Sequence, residues 1–398
     1  MSDRGVLIVG GGPVGMTAAA YLADEGIPVT LIEGHVDVPT DLRASTFHPP
    51  TLDMLDRFGI AEKCVEQGLI CPQWQFRDRR EGVIATFDLG LLADETRHPY
   101  RLQCEQWKLA RLLREKLEAE GKVDLRYGMQ ALEASQDDDG VRLVIADGDG
   151  HREELRGHFL VGADGARSIV RKQIGANFEG MTIPEIFLTF STTFDFGSAI
   201  PDLTNIAYIS DPDEWVVLLR TPTLWRVLFP TEDNETPESM KAPERIEERL
   251  QALLPRDAPY EIVHKTDYRV HERVADRYLS GRIFLAGDAA HLNNPLGGMG
   301  MNGGIHDAMN LGEKLTAVWN GAPLETMGRY ERQRRKVAIE TVQAQALRNR
   351  KILNEKDPQA RRAYHDELRS TVADEEAHRA FVRRSSMIQS LRDLEDVA

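Results

Sequence analysis

The stretch VLIVGGGPVGMTAAAYLADEGIPVTLIE, residues 6–33, decides how the rest of the chain is read. Val6 to Gly10 is a short apolar run ending in GGGPVG, and Val14, Thr17, Ala18, Tyr21 and Leu22 follow at helical spacing. Gly26 stops that helix, and PVTLIE follows as a second buried strand. The stretch therefore predicts strand, glycine turn, helix, strand: one βαβ unit of a parallel sheet. Gly10, Gly12 and Gly15 have the spacing G-x-G-x-x-G. Alone, that spacing is equally a tight turn. The strand before it, the helix after it and a carboxylate about 20 residues on favour a dinucleotide cradle, with Pro13 and Val14 opening the helix. Gly12 lets the backbone approach a pyrophosphate, Gly15 lets the helix pack close, and loop amides with the helix dipole attract the anion. Glu33 ends the second strand, where a carboxylate bonds ribose hydroxyls and repels a 2′-phosphate. The cradle suits FAD or NAD, not NADP.

The chain around this unit has 398 residues, 41% of them apolar and 28% charged, enough for about two domains with ample core. Its net charge of -15 argues against nucleic acid or an anionic membrane surface as a standing partner, since either demands a basic face. Cys64, Cys71 and Cys104 form neither a C-x-x-C pair nor an even set, so no disulfide framework and no metal site is expected. No apolar run reaches the ~18 residues of a membrane span, and the glycines arrive too early for a signal-peptide core. A soluble, cytoplasmic protein is expected.

Further along, Glu105 to Glu120 predicts a long helix with Trp107, Leu109, Leu112, Leu113 and Leu117 on one side. VDLRYG and QALEASQDDDGVRLVIADGDG read as strands in antiparallel hairpins, and HFLVGADGARS returns to a buried strand. Between about Ile183 and Val270 the texture becomes alternating and aromatic-rich, interrupted by an acidic loop (Thr231 to Pro243) and the helix PERIEERLQALL. This predicts a mainly antiparallel layer inserted between pieces of the nucleotide domain. RIFLAGDAAH resumes the first domain, and charged helices expected on the outside run from about Arg329 to the end.

GDAAHLNNPLGGMGMNGG, residues 287–304, holds a second G-x-G-x-x-G at Gly298, Gly300 and Gly303. It lies about ten residues past its strand, and no acidic strand end follows, so it fails as a second nucleotide loop. What it offers is a strand end bearing Asp288, a loop, and glycines opening an amphipathic helix whose positive end can stabilise charge on a flavin ring.

Taken in order, these motifs resemble the single-component FAD-dependent aromatic hydroxylases of the 4-hydroxybenzoate hydroxylase type, over about residues 5–335. The resemblance rests on GGGPVG with Glu33; Arg43-Ala44 in LRASTFHPP; Gln103 in YRLQCEQWKL; Ala163-Asp164-Gly165 with Arg167 and Ser168; and Gly287-Asp288 followed by Pro295 and Gly300-Met301-Asn302. It implies that Arg43 reaches the cofactor, that Gln103 lies near its phosphate and ribose, that Asp164 contacts FAD and NAD(P)H, that Asp288 partners a ribityl hydroxyl, and that Pro295 to Asn302 line the flavin ring. The implied fold is α/β: a Rossmann-type FAD-binding domain (1–72, 98–178 and 268–335), an inserted mainly antiparallel β-sheet substrate domain (73–97 and 179–267) and C-terminal helices (336–398). Where many members have PPxGGQG, this chain has Asn294-Pro295 and Met299, so its ring environment or substrate class departs from theirs.

The implied reaction is NAD(P)H-dependent hydroxylation of a small electron-rich aromatic by O2 through a flavin C4a-hydroperoxide, with NADH or NADPH as reductant. His291 reads equally as a base or as a locally bonded residue, and His48 in TFHPP either faces the flavin or packs on the next helix. Tyr208, Arg220 and Arg226 interrupt apolar strands of the inserted sheet, where an arginine either anchors a phenolate or carboxylate or points to solvent; with Asn294 they are the candidate substrate contacts. Trp215 and Trp225 read as core. Two alternatives stay open: a hydroxylase of a larger polycyclic, quinolone or quinone-type ring, and a non-catalytic flavin-bearing sensor whose C-terminal helices bind partners. Packing or dimer contacts are the commoner use of such helices, which leaves a homodimer open.

Overall fold

The computed structural model describes residues 5–40, 44–231 and 235–398. Strand Val6–Val9 lies between Val29–Glu33 and Phe159–Gly162, parallel to both, at the middle of a six-stranded sheet. Helices cover both faces, which explains why VLIV and FLVG are apolar without alternation. Ile283–Leu285 extends the sheet beyond Phe159–Gly162, and Val123–Tyr127 extends it beyond Val29–Glu33. That last pairing corrects the hairpin expected for VDLRYG. The helix Gln106–Glu120 immediately before it supplies the long crossover that a parallel strand needs, so the strand joins the main sheet. The predicted hairpins that do form are Gln130–Asp137, Gly140–Ala146 and Arg152–Gly157, a three-stranded antiparallel sheet.

The inserted layer is an eight-stranded sheet, antiparallel except where Ile206–Ser210 runs parallel to Gln73–Asp78. Its longest strands, Phe178–Thr192 and Ile262–Ala275, pair along most of their length. The expected boundary between residues 267 and 268 therefore falls inside an unbroken strand. A short sheet of Thr46–Phe47, Arg101–Gln103 and Leu69–Cys71 sits between the larger ones.

The C-terminal helices differ most from expectation. Helix Met327–Val337 continues through a π-helical segment, Ala338–Gln343, into Ala344–Asn354, and Pro358–Ala373 and Glu375–Ser385 follow. They are not only an outer coat. Ile352, Leu353, Leu368 and Val382 share one apolar cluster with Trp74, Phe87 and Tyr208 of the eight-stranded sheet, so these helices close over that sheet. Among the described residues no helix is long and apolar enough to cross a membrane.

Candidate active site

The first glycine turn has the shape that a pyrophosphate needs. Gly10 has φ +110°, and a Cβ there would lie 2.3 Å from the Ala163 carbonyl oxygen; one at Gly15 would lie 1.9 Å from the Gly10 oxygen. Only glycine fits either position. Gly12 differs: a Cβ there meets nothing within 4 Å, and Gly12 caps helix Pro13–Asp24 without any side-chain bond. The helix thus presents bare amides to open space, the arrangement that binds a phosphate anion. The residues fit a dinucleotide. Glu33 adjoins the cradle, its Oε2 accepting from the Gly11 amide at 2.6 Å and its Oε1 from the His35 amide at 2.8 Å.

Asp164 adjoins the same cradle but works as a cap. It accepts from the Ser168 hydroxyl (2.5 Å) and the Ile169 amide (2.8 Å), holding the start of helix Ile169–Gln173. Gln103 is fully buried and committed at both ends: Ser45 donates to its Oε1 and its Nε2 donates to Thr46 Oγ1, each at 2.8 Å. Arg226 Nη1 reaches Ser45 Oγ at 3.2 Å, so Arg226 joins this network instead of facing the cavity described below. Arg43 lies outside the described residues.

Helix Met299–Trp319 meets the cradle at its N-terminus. A Cβ on Gly304 would lie 2.6 Å from Val14 Cγ2, so glycine there lets the two helices touch. Asn302 fastens the first turn, donating to the Thr46 and Gly298 carbonyls (2.8 and 2.6 Å) and accepting from the His48 amide at 2.9 Å. Met301 is half-buried, and Gly300 faces Asn293 Oδ1, 3.1 Å from where its Cβ would lie. His48 is fully buried, and its Nε2 bonds the Gly297 carbonyl at 2.8 Å. That bond needs a proton on Nε2 and leaves Nδ1 bare. Burial, then the Arg101 charge, push the His48 pKa well down, so the ring is neutral. Asp288 is exposed in the turn Gly287–Ala289.

His291 is not brought to an open face. Its Nε2 bonds Asp307 Oδ2 at 2.7 Å, and Arg334 Nε donates to Asp307 Oδ1 at 2.6 Å; Asp307 also accepts from the Gly287 amide. Burial raises the Asp307 pKa, but His291 and Arg334 outweigh it and hold it at about 2. This buried triad locks helix Met299–Trp319 to Met327–Val337, which corrects the reading of His291 as a base for substrate.

The cavity lies between the eight-stranded sheet, the Gly297–Met299 turn and the C-terminal helices. Trp74 and Phe87 stack at 4.3 Å, Phe87 and Phe381 at 4.4 Å, and Tyr208 meets Trp74 edge-on at 5.6 Å, giving an aromatic box. Arg101 enters this box. Its guanidinium lies 4.9 Å from the Trp74 ring, bonds the Tyr208 hydroxyl, and donates from Nη2 to the Ser385 carbonyl at a long 3.4 Å. Nε and Nη1 are buried without partners. Burial accordingly pulls its pKa down.

Of the sequence-predicted substrate residues, only Tyr208 lines the cavity. Arg220, the last residue of its strand, is 40% exposed on the outer face, over the Trp225 ring and 4.0 Å from Asp195. Asn294 is fully buried against Glu272. Trp215 and Trp225 are core, each bonded through its indole nitrogen, to Asn354 and Asp195. Sequence reasoning missed Arg101. The signal was present: it stands two residues before Gln103 in a buried three-residue strand, and so on the same face. Nothing local marked Phe381, which is about 300 residues from Trp74.

Residues 3–345 match the family described as FAD binding domain. The chain is 35% identical to para-nitrophenol 4-monooxygenase of Pseudomonas sp. (strain WBC-3), covering 98% of this chain and 95% of that protein. It is 34% identical to 6-hydroxy-3-succinoylpyridine 3-monooxygenase of Pseudomonas putida, covering 95% and 96%. The crystal structure of p-nitrophenol 4-monooxygenase from Pseudomonas putida DLL-E4 superimposes with a TM-score of 0.90 at 32% identity, over 96% of this chain and 98% of that one.

Proposed function

The chain belongs to the FAD binding domain family and is a flavin-dependent aromatic monooxygenase; from that premise we propose that it hydroxylates a small ring bound as a phenolate at Arg101, using FAD, O2 and NADH or NADPH. The observation that carries this reading is the Arg101 guanidinium, buried among aromatic rings with two nitrogens unpartnered. An uncompensated buried cation costs several kcal/mol, and an anionic ligand removes that cost. A phenolate supplies the anion, and its electron-rich ring suits attack by an electrophilic oxygen. The named substrates of the two relatives, a nitrophenol and a hydroxylated pyridine, are rings of this size and kind.

Bound FAD, once reduced, activates O2 and supplies that oxygen. The overall balance is ring–H + O2 + NAD(P)H + H⁺ giving ring–OH + H2O + NAD(P)⁺. The chain's own residues do the rest. Arg101 and Tyr208 hold the phenolate oxygen; Trp74, Phe87 and Phe381 orient the ring and exclude water. Neutral His48 fixes the Gly297 carbonyl through its Nε2 proton. The cradle Gly10–Gly15 with Glu33 holds the dinucleotide, Asn302 braces the turn between cradle and cavity, and Gln103 fixes Ser45 and Thr46. In this reading the expected segments 1–72, 98–178 and 268–335 serve the cofactor, 73–97 and 179–267 serve the substrate, and 336–398 complete the substrate wall. The three buried free thiols suit the cytoplasm.

The test is a panel of phenols, hydroxypyridines and their methyl ethers offered to the FAD-loaded protein. Stimulated NAD(P)H oxidation with a hydroxylated product is expected for ionisable ring hydroxyls and not for the ethers. Equal turnover of phenols and ethers, or none with any, would overturn the reading.

A further inference from the structure

The turn Asn294–Gly298 separates the cavity from the cofactor cradle: Gly297 and Met299 line the one, and the helix that Gly298 caps abuts Val14 of the other. Its sequence, NPLGG, is where the chain departs from the resemblance drawn from its motifs. Four groups hold it from three sides. His48 bonds the Gly297 carbonyl (2.8 Å), Asn302 the Gly298 carbonyl (2.6 Å) and Asn349, from the C-terminal helices, the Leu296 carbonyl (3.2 Å). The fourth is Glu272, on strand Ile262–Ala275 of the eight-stranded sheet.

Glu272 is 2% exposed, and its Oε1 accepts twice from one residue, from the Asn294 amide at 2.9 Å and from Asn294 Nδ2 at 2.5 Å. Asn294 is itself fully buried, and its Oδ1 accepts from the Leu296 amide at 3.0 Å, closing a turn over Pro295. The carboxylate thus sets the side chain that sets the turn. Glu272 Oε2 has no partner, and the nearest cation, Arg350, is itself paired to Glu185. A buried acid kept for stability alone would be expected to satisfy both oxygens.

We propose that Glu272 is a positioning residue of the reaction: acting through Asn294, it sets the turn Asn294–Gly298 and so fixes the cavity relative to the flavin. This rests on the reading that FAD occupies the cradle and the substrate the cavity. The glycine cradle and Arg101 are untouched by a change at Glu272, so the affinity for FAD should be nearly independent of it, whereas the flavin's surroundings and the coupling of NAD(P)H oxidation to product should not.

The test compares wild type, Glu272→Gln and Glu272→Met as FAD-loaded enzymes. Glutamine keeps an acceptor for both Asn294 donors; methionine keeps the volume and removes it. Glu272→Met should bind FAD within about threefold of wild type yet show a shifted visible flavin spectrum. Its product formed per NAD(P)H oxidised should fall at least about fivefold, the remaining oxygen leaving as hydrogen peroxide. Glu272→Gln should restore both spectrum and coupling. Asn294→Ala should reproduce the Glu272→Met spectrum, and the double variant should add nothing further. A Glu272→Met enzyme with wild-type spectrum and coupling overturns the proposal, as does a Glu272→Gln enzyme no better than Glu272→Met. Should Glu272→Met not fold, the Asn294→Ala spectrum and coupling decide in the same way. A wild-type protein that takes up no FAD overturns the functional reading itself.

Discussion

Replacing Arg101 by methionine should damage substrate recognition while leaving the fold as stable or more so. In the free protein the guanidinium is buried with Nε and Nη1 unpartnered, and its bond to the Ser385 carbonyl is long at 3.4 Å. Exchanging such a cation for an apolar side chain of similar length is neutral or stabilising by ~1–4 kcal/mol. With a phenolate bound, the two free N–H groups make charge-assisted bonds worth ~1.5–3 kcal/mol each. Taking about 3 kcal/mol as their joint, non-additive contribution, kcat/KM for a phenol falls roughly 100-fold. Arg101→Lys keeps the charge without the fork and should fall between. Steady-state kinetics on a phenol, binding of its methyl ether and thermal melts of the three proteins form the assay. A kcat/KM for Arg101→Met within threefold of wild type would refute phenolate binding at Arg101. So would a melt well below wild type, since Arg101 would then be a structural brace.

Three other outcomes follow from the geometry. Gly12→Ala should leave the melting of the FAD-free protein unchanged, since its Cβ meets open space, yet weaken FAD at least about tenfold by occupying the pyrophosphate's approach; thermal melts without flavin check the first and equilibrium titration of flavin fluorescence the second. Glu95, bonded to Arg379, Arg383 and Arg392, should hold Glu375–Ser385 and Ile388–Arg392 over the cavity. Its carboxyl is held at about 2, mainly by Arg383, so that contribution is present above its ordinary pKa near 4.5 and lost as pH falls towards 2. Glu95→Gln should cost on the order of 2 kcal/mol at neutral pH and speed proteolysis after Arg379 and Arg383. Glu272 has the opposite sign: burial raises its carboxyl to about 7, so its contribution is full below about 4.5 and lost as pH rises through 7. Melting temperature should decline over that window in wild type and less in Glu272→Gln.

The nucleotide half of the molecule was legible because its chemistry is local. A cradle, its helix and its carboxylate occupy residues 6–33, and Gly15 or Gly10 admits no other residue whatever the rest of the chain does. VDLRYG was misread as a hairpin because a strand of five carries no mark of its partner's direction; the crossover helix before it does. The substrate cavity was hardly legible. Phe381 and Ser385 meet Trp74 and Arg101 only after the C-terminal helices fold back across the sheet, and helix periodicity says which face is apolar, not what it covers. Arg220 and Arg226 were equivalent in sequence. The sheet separates them, the one half-exposed at a strand end beside Asp195, the other interior beside Ser45. His291 reads equally as a base or as a locally bonded residue in sequence, because Asp307, sixteen residues on, is joined to it only once helix and strand are in place.

On the proposed function, a phenolic ring seated against Arg101 receives one atom of O2. Turnover of a phenol substrate under ¹⁸O2, with the hydroxylated product read by mass spectrometry, tests it most directly. One heavy oxygen per product molecule, with the yield of labelled product falling roughly 100-fold in Arg101→Met at equal flavin content and low substrate, is the predicted result. Product oxygen drawn from water, or a yield of labelled product that Arg101→Met leaves unchanged, would contradict phenol hydroxylation at Arg101.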